Sequence, residues 1–149
     1  MGKLAHLASR YREMGTPVTT EASDTDFARV HLPESLLTLW STMDVRDRRH
    51  AVVVARRFMT MVPNARPAEM AAALLHDVGK AQCSLGRGGR VAATLFGGLT
   101  REMRVYRRHE EIGAQAIARA GGDQRTVDMV AGRSNDAAAQ ALREADDAY

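Results

Sequence analysis

An all-α, single-domain helical bundle is the fold class this sequence predicts, and three observations predict it. Alanines are abundant and clustered, and only four prolines interrupt 149 residues. Val, Ile and aromatic runs of period two are scarce, a composition that favours helices over strands. Apolar residues recur at three- and four-residue spacing along most of the chain. The length suits one core, and the 45% hydrophobic fraction is that of an ordinary soluble globular protein. The expected bundle has about five to seven main helices.

Taken in order, Leu4, Leu7, Ala8 and Tyr11 form one stripe of an amphipathic helix over residues 3–14, ended by Gly15-Thr16-Pro17. Residues 16–33 are polar and Thr/Asp-rich, which reads as a loop with a short turn near Asp26 to Val30. His31 falls there as a lone surface or packing histidine. Residues 1–33 are thus expected to be a helix and loop packing on the core, with 34–149 as the main helical domain.

Pro33 suits the first turn of a helix to Met43, with Leu36, Leu37, Leu39, Trp40 and Met43 on its apolar face. This Trp40-bearing helix is a candidate surface for a homodimer. Asp44 is an N-cap for a helix from Val45 to Val62, whose inner stripe is His50, Val53, Val54, Phe58 and Met61. Pro67 starts the next helix, which turns Met70, Ala73 and Leu74 inward and runs into His76-Asp77.

Gly79, Gly86, Gly88 and Gly89 predict a flexible connection, with Arg87 and Arg90 inside it. Its spacing matches neither the P-loop nor the dinucleotide fingerprint. Val91 to Leu99 reads as a short helix. Arg101, Arg104 and Arg108 then lie on one helical face, as a solvated surface or as the wall of an anion pocket. A further helix spans His109 to Arg119 and ends at Gly121-Gly122, and Asp123 caps the next, Gln124 to Gly132. Asn135 or Asp136 caps the last, Ala137 to Asp147.

Composition narrows the partners. The formal charge is +3. The positive side chains are arginines except Lys3 and Lys80, and arginine's planar fork suits phosphate. No block of consecutive basic residues marks a nucleic-acid arm. No apolar run reaches the length of a membrane span, and the start of the chain lacks a signal-peptide pattern. His6 stands where a myristoylation signal needs Ser or Thr. The single cysteine, Cys83, excludes an intrachain disulfide. The expected compartment is the cytoplasm.

Chemistry concentrates in the stretch Leu74-Leu75-His76-Asp77-Val78-Gly79-Lys80. His and Asp both ligate first-row metals. Other candidates are His50, His109 and Asp146, and the successive gaps His50 to His76, His76 to His109 and His109 to Asp146 are 26, 33 and 37 residues. No local chelating motif has such gaps, so the ligands must converge from separate helices.

The order His50, then His76-Asp77, then Ala145-Asp146 resembles the HD-domain metal-dependent phosphohydrolase superfamily. Arg49-His50 opening an apolar helix and Ala73-Leu74-Leu75 before the pair fit that pattern, and His109-Glu110-Glu111-Ile112-Gly113-Ala114 is similar to a segment of many bacterial members. The resemblance covers residues 44–147. It implies an all-α bundle and one divalent ion (Mn, Fe, Co, Ni, Mg or Zn) held by His50, His76, Asp77 and Asp146, with Asp147 as the adjacent alternative.

The activity it implies is hydrolysis of a phosphate ester or anhydride, the substrate a small phosphate compound such as a nucleotide and the nucleophile a metal-bound water. Asp77 would hold the ion and orient the water, while Lys80 and His109 would act on the phosphate or the leaving group. Arg49, Arg108 and Arg133 are the candidate substrate contacts. Members with two metals carry further histidines where this chain has Val130 to Ser134, and none occurs after His109. That predicts one ion. It also raises the alternative of a catalytically silent nucleotide-binding or regulatory module.

Overall fold

The computed structural model describes residues 20–84 and 99–148, with side chains for 20–82 and 108–148. Every regular element in them is a helix: α1 (Glu21–His31), α2 (Glu34–Ser41), α3 (Val45–Met61), α4 (Pro67–Leu75), α5 (Val78–Ser84), α6 (Leu99–Arg119), α7 (Gln124–Val130) and α8 (Ala137–Asp147). The helix expected over 3–14, the Gly86–Gly89 connection and the 91–98 segment lie outside the described residues.

Helix α4 is the axis of the bundle. From Glu69 to Leu75 every residue is buried, the pattern of a helix surrounded on all sides. Its alanines let α3 and α7 approach closely, and α1 and α2 complete the ring. Trp40, Phe58, Leu74, Leu75 and Ile117 are the large side chains almost wholly withdrawn from water, each contributing about 1.5–3 kcal/mol. Trp40 is only 1% exposed, so its side chain belongs to the core. Met61, expected inside, is 42% exposed at the end of α3.

Helix α1 occupies Glu21–His31, within the stretch expected as a loop. Thr20 caps it, accepting from the Ser23 amide at 3.2 Å. Glu21 and Asp24 occupy its first turn and Arg29 and His31 its last, so both ends complement the macrodipole. Its inward stripe is Asp24, Ala28 and Leu32, all buried. One member of that stripe is charged and one is alanine, which is why no hydrophobic period betrayed it. His31 packs against Phe27 in a tilted arrangement, 4.7 Å between ring centroids and 53° between planes.

Asp44, Asp123 and Asp136 cap α3, α7 and α8, accepting from the amides of Asp47, Arg125 and Ala139. Pro33 is the residue before α2 rather than within its first turn. Two further boundaries differ from expectation. Gly79 belongs to α5 and is no connection, and α6 is one continuous helix where a break near His109 was expected.

Gly79 is there because α5 and α6 cross at contact distance. A Cβ on Gly79 would run into the His109 carbonyl, and one on Gly113 would meet the Gly79 amide at 3.1 Å. The crossing brings His109 beside Lys80. At the far end of α6, Gly121 takes a φ of 80° and the Gly122 amide returns to the Ile117 carbonyl at 2.9 Å, the left-handed stop that glycine makes inexpensive.

Candidate metal centre

Helix α4 ends one residue before the His-Asp pair. His76 is its C-cap, with φ −56° and ψ −33°, and Asp77 lies in the turn before α5. His76 Nδ1 sits 2.8 Å from the Ala73 carbonyl. A carbonyl only accepts, so Nδ1 carries the proton, and in the neutral ring Nε2 presents its lone pair. Nε2 is buried, with Asp146 Oδ1 3.4 Å away and no hydrogen bond of good geometry.

The three remaining groups surround that nitrogen. Asp77 Oδ2 is 3.5 Å from it and Asp146 Oδ1 3.4 Å. His50, one turn into α3 from Asp47, brings its own Nε2 to 2.9 Å from Asp146 Oδ1 and 4.0 Å from Asp77 Oδ2. The two imidazoles meet edge-on with centroids 5.5 Å apart. One ligand atom each from His50, His76 and Asp77 falls within 4.8 Å of the others. Ligand bonds of about 2.1 Å place neighbouring donors on the order of 3 to 3.5 Å apart. The His76–Asp77 separation matches that spacing and the His50–Asp77 separation of 4.0 Å is slightly wider, so the three donors could hold one small cation with a modest inward shift, and Asp146 Oδ1 lies beside both imidazoles.

In the ion-free cluster the carboxylates favour a proton on the imidazole, at the nitrogen where a metal ion would compete for the same lone pair. Burial alone would lower the His76 pKa, but hydrogen bonding and charge from Asp146, with Asp77, raise it above the ordinary histidine value. Contact with His50 and then His76 holds the Asp146 carboxyl well below the usual carboxylate range. Lys80 Nζ ion-pairs with Asp77 Oδ2 at 2.7 Å. Burial opposes the charge of that ammonium, yet the Asp77 contact lifts its pKa above the usual value. His109 is shifted the other way, by burial and by the charge of Lys80.

The sequence-predicted residues thus separate into groups. His50, His76, Asp77 and Asp146 converge, and Lys80 and His109 stand beside them. Asp147 is exposed next to Asp146. Arg49 is half-exposed, with its Nε 3.5 Å from the buried Asp24 carboxylate, and Arg108 is exposed. Arg133 pairs with Asp128 at 3.1 Å and Glu111 at 3.3 Å, so the structure engages it with two carboxylates of its own surroundings.

Two residues near the cluster were not singled out by the sequence. Asp47 lies close enough to feel Lys80, Asp77 and His50, and burial together with Asp44 raises its pKa. Arg57, two turns after His50, is buried and donates to the Ala145 carbonyl at 3.0 Å. Its position in an otherwise apolar helix interior was the only available hint. No helix among the described residues is long and apolar enough to cross a membrane. No family model, curated protein or solved structure matches the chain.

Proposed function

We propose that the cluster binds one divalent metal ion and that the protein is a metal-dependent phosphohydrolase of the HD-domain type, acting on a nucleotide or a similar small phosphate ester or anhydride. One observation carries the reading. His76 Nδ1 is held against the Ala73 carbonyl, which turns its buried Nε2 toward Asp77 and Asp146 at 3.5 and 3.4 Å, a position where a proton or a metal ion is bound between imidazole and carboxylates. Two imidazoles with two carboxylates suit Mn, Fe, Co, Ni or Zn better than Mg.

Such an ion would supply positive charge that acidifies a water and polarises a phosphoryl oxygen. The chain's own groups do the rest. Asp77, at the α4–α5 turn, is placed to hold and orient the attacking water. Lys80, half-exposed beside it, offers an ammonium to a phosphate oxygen. His109, with its lowered pKa, is neutral at pH 7 and able to accept a hydrogen bond or a proton. The test is release of inorganic phosphate from nucleoside mono-, di- and triphosphates with added Mn or Ni, before and after chelation. Chelator-sensitive release is expected. Its absence, with no metal by elemental analysis, overturns the proposal.

A second reading, a silent nucleotide-binding or regulatory module, is favoured by the engagement of the cations. Lys80 is paired with Asp77, and Arg133 with Asp128 and Glu111. Saturable nucleotide binding without turnover, in protein shown to contain metal, would select it.

A further inference from the structure

We infer that Arg57 is a positioning residue of this centre: it fixes the peptide of Ala145-Asp146 and thereby the aim of the Asp146 carboxylate. The inference rests on reading the cluster as a metal site and is independent of which reaction the site performs.

Arg57 is a charged residue only 8% exposed, on the face of α3 that packs against α8. Its Nη1 donates to the Ala145 carbonyl at 3.0 Å. The last four carbonyls of a helix have no partner within it, and they form the negative end of the helix dipole. Ala145 is among them, since α8 ends at Asp147. The guanidinium therefore caps α8 from the side, with favourable charge and direction.

The next residue is Asp146. Its Oδ1 lies 2.9 Å from His50 Nε2 and 3.4 Å from His76 Nε2. His50 and Arg57 are seven residues apart in α3, hence on one face. Helix α3 thus grips the end of α8 at two successive levels, the backbone through Arg57 and the carboxylate through His50. Helix ends fray, and this one bears a ligand. An apolar side chain at position 57 would fill space but leave the peptide free to rotate. The planar fork of an arginine adds direction at one carbonyl. Groups that orient metal ligands in this way typically alter metal affinity by about 10–100-fold.

The experiment is calorimetric titration of the chelator-stripped full chain with Mn²⁺ and Co²⁺, for the wild type, Arg57→Lys, Arg57→Met, Asp146→Asn and the Arg57→Lys/Asp146→Asn double variant. Arg57→Lys keeps the charge and the stem but loses the fork, and is expected to bind about tenfold more weakly, Arg57→Met weaker still. In the Asp146→Asn background, Arg57→Lys should cost nothing more. The Co²⁺ absorption spectrum should change in Arg57→Lys, which loss of stability alone does not produce.

Wild-type affinity in folded Arg57 variants overturns the inference. So does a full additional loss in the double variant, because Arg57 would then act other than through Asp146. Should Arg57→Met fail to fold by circular dichroism, the lysine variant and the cycle still decide. If the wild type itself binds neither ion, the metal reading fails and the role of Arg57 falls with it. Binding by the wild type with unaltered Arg57 variants sinks only the role of Arg57.

Discussion

The two ends of α4 each carry a cluster of charged side chains, and the two clusters obey opposite rules. At the N-terminal end, Glu69 accepts from the Arg66 amide at 2.9 Å and from the Arg66 and Arg125 guanidinium groups at 2.7 and 3.1 Å. Arg125 continues to Asp136, the cap of α8, at 2.6 Å. Two arginines face two carboxylates, so charge and hydrogen-bonding capacity both close. At the C-terminal end, two carboxylates and two imidazoles face one lysine. That set is short of positive charge unless an imidazole takes up a proton, and the buried His76 Nε2 has no donor aimed at it.

Helix α8 spans both clusters, with Asp136 at its start in one and Asp146 at its end in the other. The same pair of helices is therefore tied at one end by a finished ion network and at the other by a set of donors that converge on a point. A finished network predicts stability and no chemistry. Converging lone pairs predict the reverse, since they repel one another until a proton or a metal ion sits between them.

The sharpest way to break the comparison is Glu69→Ala. It leaves the largely buried Arg125 short of a counter-ion and removes the return bond to the start of α4. Chelator-treated protein should lose about 3 kcal/mol of unfolding free energy in urea, with metal stoichiometry unchanged. A loss below about 1 kcal/mol would reduce the network to ordinary surface pairing.

Next in size is the metal's own contribution. An ion bound only by the folded state, present at a hundred times its dissociation constant, should stabilise the wild type by about 2.7 kcal/mol. Asp77→Asn keeps the side chain's shape and should abolish that increment. Thermal unfolding with and without Mn²⁺ reads it directly. An equal increment in both proteins would place the ion elsewhere.

How much of this was legible beforehand follows from the range of each signal. Asp44, Asp123, Asp136 and Pro67 act on amides or turns within three residues, and each was readable as a helix start. The four converging ligands come from α3, the α4–α5 turn and α8. Periodicity left them a set of separate residues, and only their order along the chain suggested one site.

What escaped depends on partners far away. Gly79 reads locally as a breaker, yet it is a helical residue whose missing side chain admits the His109 carbonyl. Glu69 and Arg125 are 56 residues apart, and Arg57 and Ala145 are 88 apart. Neither pairing leaves a local pattern. Helix α1 was hidden by its own stripe, because Asp24 occupies a buried position that a hydrophobic pattern would assign to an apolar residue.

Acid separates the clusters at a finer level. Hydrogen bonds from Arg125 and from the Ala139 amide lower the Asp136 carboxyl from 3.8 to about 2. Glu69 is lowered as well: burial raises it, but Arg66 and Arg125 together outweigh that. A depressed carboxylate stabilises the fold above its unfolded pKa and loses that stabilisation as pH falls through the folded one. Arg125→Met removes the partner of both. Its deficit relative to the wild type should be full at pH 7 and shrink steadily from about pH 5 towards pH 2. Urea unfolding across that range measures it, and a deficit independent of pH would show that Arg125 acts by packing alone.

The smallest effect carries the most distinctive sign. Removing a cation from the finished network weakens the fold, as Arg125→Met should. Removing the cation from the other cluster should tighten ion binding. Lys80 already neutralises Asp77 at 2.7 Å and is 47% exposed, so its loss costs the chelator-treated fold no more than about 1 kcal/mol. Without the ammonium, Asp77 faces the ion uncompensated. Lys80→Met should bind Mn²⁺ roughly fivefold more tightly, equivalent to about 1 kcal/mol, even where phosphate release falls. Weaker binding in Lys80→Met would mean that the lysine holds Asp77 in its ligating position, and the contrast between the two ends of α4 would narrow to one of degree.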